Sequence, residues 1–221
     1  MKTREKEIGT DSLNGSQKSK KDLRIGLVPV FILSMLILST GWLSAHCDTM
    51  DGPVIKDARI AIEKNNVNYV LKWVQPENEA ELKDAFILSM KVRKLSQEAK
   101  VLADKYFFET LVRLHRNGEG VPYTGVKPAG TPVDEKILAA DKSIEAGSLS
   151  PLKDKVPKEM LPELMERFEK VMALRNFDIN DVEAGREYID SYVKFFKFAE
   201  GEAEGHNDIH AESTSNSVHL N

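Results

Sequence analysis

Apolar residues recur every three or four positions along most of the chain after Gly52, which is the spacing of amphipathic α-helices. A proline opens residues 53–64, where it suits the first turn of a helix. Residues 67–74 predict a short helix. A longer helical stretch, bent near Ser96, is predicted for residues 77–115. No part of this region alternates apolar and polar residues as a half-buried strand does.

The second half of the chain begins with a break in this pattern. Residues 117–130 contain four glycines and two prolines, which predict a shaped loop. Thr131 is then placed to cap a helix that starts at Pro132 and ends near Ala146. A further helix is predicted for residues 157–175. The last one is predicted to be capped by Asn180. Its buried side is predicted to contain Ile189, Tyr192, Phe196 and Ala199.

The elements together predict an all-α fold, a bundle of four to six helices. Three regions follow from composition. Residues 1–45 read as an export signal, residues 46–200 as the helical domain, and residues 201–221 as a polar, disordered tail. The tail contains His206, His210 and His219, which are assigned at most an auxiliary, low-affinity metal role.

The first 45 residues have the parts of a secretory signal. A polar stretch ends in a basic run before Arg24, residues 25–38 are almost wholly apolar, and small residues precede a cut predicted after Ala45. The protein is therefore expected to be exported to the periplasm or the outside of the cell. An uncleaved membrane anchor, with the domain outside the cytoplasm, is the alternative.

Charge and cysteine content limit the partners. The whole chain has a formal net charge of −4. Loss of residues 1–45 leaves about seven negative charges, which disfavours nucleic acid and anionic membrane surfaces as partners. A membrane contact is expected only if the leader stays attached, and a homo-oligomer remains open. Cys47 is the only cysteine, so no intrachain disulfide can form.

The residues after the predicted cut are rich in metal ligands. A cut after Ala45 gives His46 a free α-amine, next to its imidazole and the Cys47 thiol. Amine, deprotonated amide, thiolate and imidazole donors suit Ni(II) or Cu(II). Asp48 and Asp51 are further candidate ligands, although Asp51 is equally placed to cap the following helix. His115 is a candidate second imidazole, which would form a copper histidine brace, or else a core residue. In the brace, the groups expected to orient the ligands are Arg113, Glu119 and Tyr123.

Two resemblances bear on this segment. Its His-Cys-Asp start and the Gly at position 52 resemble the mature N-terminus of nickel superoxide dismutase, which implies a nickel hook on a four-helix bundle, with His46 and Cys47 as ligands. Asp51 stands where that family has its second cysteine, so weak or absent dismutase activity is predicted. The start His-Cys-Asp-x-x-Asp-Gly-Pro-Val, and residues 103–113, resemble an uncharacterised family of exported bacterial helical proteins.

Three functions follow from these patterns. The first is an exported helical bundle that binds Ni or Cu through its mature N-terminus, in metal handling or oxidative-stress defence. The second is a non-catalytic envelope protein in which Cys47 forms an intermolecular disulfide. The third is a superoxide dismutase-like enzyme. The sequence leaves open whether the protein is an enzyme.

Overall fold

A computed structural model describes residues 46–201 of the chain. The predicted signal peptide or anchor and the predicted histidine-containing tail lie outside the described residues. No helix in the described range is both long enough and apolar enough to cross a bilayer.

The described residues form an all-α domain, as the sequence predicts. They contain eight α-helices, of which two are single turns, so the six longer ones agree with the predicted number. In chain order they are α1 (Pro53–Lys64), α2 (Asn68–Leu71), α3 (Glu79–Val92), α4 (Gln97–Gly118), α5 (Glu135–Ala146), α6 (Ser150–Lys153), α7 (Leu161–Leu174) and α8 (Val182–Glu200). Short 3-10 helices, Pro76–Asn78 and Lys158–Met160, precede α3 and α7.

Helix α1 has the predicted bounds, but other boundaries differ for reasons of local hydrogen bonding. The predicted bend near Ser96 is a reversal of direction: the Ser96 hydroxyl accepts a hydrogen bond from the amide of Ala99 and caps α4, which packs back along α3. The predicted cap Thr131 instead donates its hydroxyl to the carbonyl of Pro128. Helix α5 therefore begins later, with Asp134 as its N-cap.

The start of α8 also differs from the prediction by one residue. Asp181, not Asn180, accepts a hydrogen bond from the amide of Ala184 and is the N-cap. The side chain of Asn180 donates to Asp178 and accepts from Asn68. The predicted inward face of the helix is confirmed, because Ile189, Tyr192, Phe196 and Ala199 are all buried.

The helices form two groups. In the first, α1 packs on α2 and α4, and α3 packs on α4. In the second, α8 packs on α7 and α5, and α5 also contacts α6 and α7. Trp73, from the first group, meets Tyr192 of α8 edge to face, with ring centroids 6.0 Å apart. Arg186 of α8 binds Glu79 of α3 at 2.5 Å, which ties the two groups at a second point.

The first described residues lie between these two groups. We call residues 46–50 the N-terminal segment. The ring of His46 stacks on Phe196 of α8, with centroids 5.9 Å apart, whereas Asp48 faces Arg116 of α4. Backbone bonds to Lys127 hold the segment against the glycine-rich loop: the Lys127 amide donates to the carbonyl of Asp48, and the amide of Met50 donates to the carbonyl of Lys127.

Candidate metal centre

The N-terminal segment is folded into a tight turn over the start of α1. The Thr49 hydroxyl donates to the carbonyl of His46 at 3.1 Å, and the amide of Gly52 donates to the carbonyl of Thr49 at 3.0 Å. Gly52 is the N-cap of α1, with φ −75° and ψ 167°, a backbone conformation open to any residue. Glycine is needed here because a Cβ at this position would overlap the carbonyl oxygen of His46. The turn thus depends on the missing side chain at position 52.

The imidazole of His46 is oriented by a partly buried acidic group. Its Nε2 lies 2.7 Å from Oδ2 of Asp141, and the Tyr192 hydroxyl donates to Oδ1 of the same carboxylate at 2.8 Å. A carboxylate accepts hydrogen bonds, so the proton of a neutral His46 ring lies on Nε2 and the lone pair on Nδ1. Carboxylate support of this kind is typical of histidines that bind metals. Burial, followed by the negative charge of Asp141, raises the pKa of Tyr192 well above its usual value, so its hydroxyl remains a donor.

His115 has its tautomer fixed in the opposite sense. Its Nδ1 lies 2.9 Å from the backbone carbonyl of Trp73, which can only accept a hydrogen bond. The proton of a neutral His115 ring is therefore on Nδ1, and Nε2 carries a lone pair that points into the protein interior. That Nε2 atom is buried and has no hydrogen-bond partner among the described residues. It faces Oε1 of Glu119 at 3.7 Å, so two electron-pair donors point at each other across a gap that a cation would fill.

Cys47 is a buried free thiol beside this pair. It is 8% exposed. Burial raises the pKa of the Cys47 thiol well above its usual value, the negative charges of Glu119, Asp48 and Asp141 raise it further, and the positive charge of Arg116 opposes them. In the metal-free protein Cys47 is consequently a protonated, unreactive thiol. A bound cation would lower its pKa and convert it to a ligand.

This state of Cys47 predicts slow chemical labelling. The metal-free folded protein should react with a disulfide reagent such as dithionitrobenzoate at mildly alkaline pH at least about 100-fold more slowly than the urea-unfolded chain, because both access and thiolate content are low. The absorbance of the released thiolate measures the rate. Immediate stoichiometric labelling of the folded protein would contradict the buried position, and would favour the intermolecular disulfide.

Asp48 is the most deeply buried carboxylate of the group. Its Oδ2 lies 3.5 Å from Nε of Arg116, and its Oδ1 has no hydrogen-bond partner in the described part of the chain. Burial raises the pKa of Asp48 to about 6, and the positive charge of Arg116 opposes this increase. Arg116 also binds Glu119, at 3.0 Å. The positive charge of Arg116, which is shared with Glu119, therefore compensates the buried Asp48 carboxylate only weakly.

The structure brings four of the five predicted ligands into one buried region and leaves one outside. His46, Cys47, Asp48 and His115 are buried. Asp51 is exposed, and its Oδ2 accepts a hydrogen bond from the amide of Gly130 at 3.0 Å. It neither faces the buried group nor caps α1, because its carboxylate is held by the loop. That hydrogen bond is the largest influence lowering the pKa of Asp51.

Of the residues predicted to orient the ligands, the structure places Glu119 at the site and Arg113 away from it. Glu119, predicted to orient ligands, lies beside His115 and Arg116. Arg113, predicted for the same role, is on the surface and pairs with Glu81 of α3. Among residues 46–201, no three His, Cys, Asp or Glu side chains are close enough to share one ion in this conformation.

Sequence reasoning missed Asp141 and Trp73 as parts of the site. Asp141 lies four residues after Ile137 and three before Ile144, both buried, so a carboxylate occupies a core-facing position of α5. That conflict with the helical pattern was a usable signal. The role of Trp73 comes from its backbone carbonyl, which carries no sequence signal.

Comparison with known proteins finds a family match. A model of a protein family of unknown function matches residues 51–198 of the chain. The match includes His115, Glu119, Asp141 and Tyr192, and it begins just after the N-terminal segment. No curated protein and no solved structure matches the chain.

Proposed function

The chain belongs to the family of unknown function DUF6448, and from its own residues we propose that it is an exported helical-bundle protein that binds one Cu or Ni ion at its mature N-terminus. The ion would be held by the α-amine of His46 and the thiolate of Cys47, together with the lone pair of His115. Roles in metal handling or oxidative-stress defence suit such a protein.

The observation that carries this proposal is the state of His115. A buried lone pair without a partner is unfavourable, and here it faces a carboxylate oxygen of Glu119 instead of a donor. A proton or a metal ion at this point would remove the conflict. The buried thiol of Cys47 lies in the field of the same carboxylate, so one cation would compensate both groups.

Removal of the leader supplies the remaining donor. While residue 45 is attached, the nitrogen of His46 is an amide and binds metal poorly. After a cut at Ala45 it becomes an amine with a pKa near 8, from which a metal displaces the proton at little cost. Asp141 leaves Nδ1 of His46 as the lone-pair nitrogen, on the same residue as that amine. Nitrogen-rich donor sets with one thiolate favour Cu(II) and Ni(II) over harder ions.

Metal analysis of the exported protein tests the proposal. N-terminal sequencing should find His46 as the first residue, and titration with Cu(II) or Ni(II) should saturate at one ion per chain. Acetylation of the α-amine should weaken binding at least about 100-fold, and a His115→Gln variant about tenfold or more, because each removes a donor. Competition against a chelator of known affinity gives both ratios.

A matched control separates this site from stray histidines. His210→Gln removes an imidazole from the tail and should leave the first equivalent unchanged. A protein that begins at His46 but takes up neither ion stoichiometrically would refute the proposal. Equal losses in the His115 and His210 variants would show that binding is nonspecific.

The other two candidate functions stay predictions. The intermolecular disulfide needs an accessible thiol, whereas Cys47 is buried in the described structure. Dismutase activity would be measured as the rate at which the nickel-loaded protein removes superoxide. The position of the second cysteine in nickel superoxide dismutase is Asp51 here, and its carboxylate is bound to Gly130 on the surface.

A further inference from the structure

The end of the α3–α4 hairpin projects beyond the core. We call residues 87–106 the hairpin end. Helix α3 has its last buried residue at Ser89, and α4 has its first at Ala103, so residues 90–102 contain no buried side chain. The hairpin end is nevertheless rich in apolar residues, which a purely solvated projection would not require.

Large apolar side chains are concentrated there. Of the nine large hydrophobic residues exposed in the described part of the chain, six belong to the hairpin end. Leu95 is 77% exposed and Leu102 is 68% exposed. The other four are Ile87, Leu88, Val101 and Tyr106. Outside this region the exposed ones are scattered singly, as is normal on a protein surface.

Three of these residues lie on one side of the hairpin. Leu88 is seven residues after Glu81, and Tyr106 is seven residues before Arg113, so each lies on the same helical face as its charged partner. Glu81 and Arg113 form an ion pair across the two helices. The faces that carry Leu88 and Tyr106 are therefore neighbours. Leu102 lies one turn before Tyr106 on the same face, and Leu95 lies in the turn that joins the two helices at the tip.

The charge of the hairpin end is opposite to that of the whole protein. Residues 87–106 contain five Lys or Arg and two Asp or Glu, in a chain whose net charge is −4. Arg93 and Lys100 both bind Asp104, at 2.8 and 2.7 Å. The positive surplus thus lies on exposed lysines such as Lys91, three residues after Leu88, and Lys94, which directly precedes Leu95.

The positive charge and apolar residues of the hairpin end indicate which kind of partner it binds. A second copy of the hairpin end would bring two positive surfaces together, which is unfavourable. An anionic lipid surface attracts the lysines, and their long stems allow the leucines to enter the interface while the ammonium groups stay at the headgroups. The net negative charge that disfavours an anionic membrane as a partner of the whole domain lies outside the hairpin end, and it would turn the hairpin end towards the lipid.

We propose that residues 87–106 dock the domain on an anionic phospholipid membrane, with Leu95 and Leu102 inserted between headgroups. The contact is interfacial, since the helices are too polar to span the bilayer. It is independent of the proposed metal centre, whose residues lie between the two helix groups.

Photocross-linking tests this residue by residue. The protein is mixed with vesicles of phosphatidylcholine and phosphatidylglycerol that contain a photoreactive phospholipid, and cross-linked peptides are mapped by mass spectrometry. Mapping remains informative whether or not residues 1–45 are attached. Cross-links should fall on residues 87–106 and drop about tenfold on vesicles of phosphatidylcholine alone or at high salt.

Paired substitutions give the control. Leu95→Glu/Leu102→Glu should reduce these cross-links about tenfold, whereas Leu138→Glu/Met165→Glu, at exposed sites elsewhere, should not. All four sites are on the surface, so circular dichroism should show unchanged helix content. Cross-links equal in both variants, spread evenly over residues 46–201, or absent would overturn the proposal. A dimer that depends on Leu95 and Leu102 without lipid cross-links would assign the surface to a second copy.

Discussion

Alanine in place of Gly52 is expected to lower the free energy of unfolding by about 3 kcal/mol and to weaken metal binding at least about 100-fold. The added Cβ would overlap the carbonyl oxygen of His46 and lie 2.9 Å from Oγ1 of Thr49. A backbone carbonyl cannot rotate away as a side chain can, so the N-terminal segment must move. Its movement would separate His46 from Asp141. Urea unfolding and chelator competition measure the two effects.

Gly118→Ala is the matched control for this variant. The Cβ there would meet Cγ of Gln75 at 3.1 Å, which is part of a flexible side chain, so the change should alter stability by less than about 0.5 kcal/mol. Because α1 begins at Pro53, the helix content of the Gly52 variant should be retained. If the Gly52 variant is as stable as the wild type and binds metal equally well, the described turn does not exist in solution.

Asparagine in place of Asp48 is expected to stabilise the metal-free protein at neutral pH, by as much as about 3 kcal/mol. The pKa of Asp48 is raised to about 6 in the folded protein from an ordinary value of 3.8, mainly by burial. Folding therefore takes up a proton at this group. Its contribution to stability is fully present below pH 3.8 and is lost as the pH rises through about 6. Asparagine avoids this loss because it cannot ionise.

The pH dependence identifies the cause. The stability difference between Asp48→Asn and the wild type, measured by urea unfolding, should be small at pH 4 and grow up to pH 7. Asp51→Asn is the control, since the pKa of Asp51 is lowered and its ionised form is favoured by folding. That variant should change in the opposite direction. If the stability difference between Asp48→Asn and the wild type does not vary with pH, burial does not raise the pKa of Asp48.

The stabilised variant also bears on function. A buried carboxylate that lowers stability at neutral pH is typical of a site kept for binding. Asp48→Asn should accordingly bind Cu(II) or Ni(II) more weakly than the wild type, although it is more stable. A change of stability and affinity in opposite directions is hard to obtain from a residue with a purely structural role.

The helical class could be predicted from the sequence because apolar spacing reports which side of a helix is buried. The inward faces of α4 and α8 follow directly from this spacing. Helix starts were less predictable where several capping residues adjoin. Two residues of a capping type stand near the start of α5 (Thr131 and Asp134) and two near the start of α8 (Asn180 and Asp181). Which residue of each pair caps the helix depends on other hydrogen bonds, because Thr131 binds Pro128 and Asn180 binds Asp178. The sequence does not show these bonds.

The candidate site could be predicted only in part. The candidate ligands His46 and Cys47 can be recognised from their chemistry and from their position directly after the predicted leader. Their burial is not, because it arises from two helix groups that close over the segment. Asp51 illustrates the limit: its carboxylate is a plausible ligand by spacing alone, but the amide of Gly130, far away in sequence, binds it.

The enclosed position of the N-terminal segment also constrains the order of events during biogenesis. His46 and Cys47, directly after the predicted scissile bond, are sealed between the two helix groups in the folded domain. A membrane-bound peptidase needs extended, accessible chain on both sides of the bond that it cuts. A leader cut at the predicted bond would therefore have to be removed while the chain is still unfolded, and the new terminus would be enclosed as the domain closes around it.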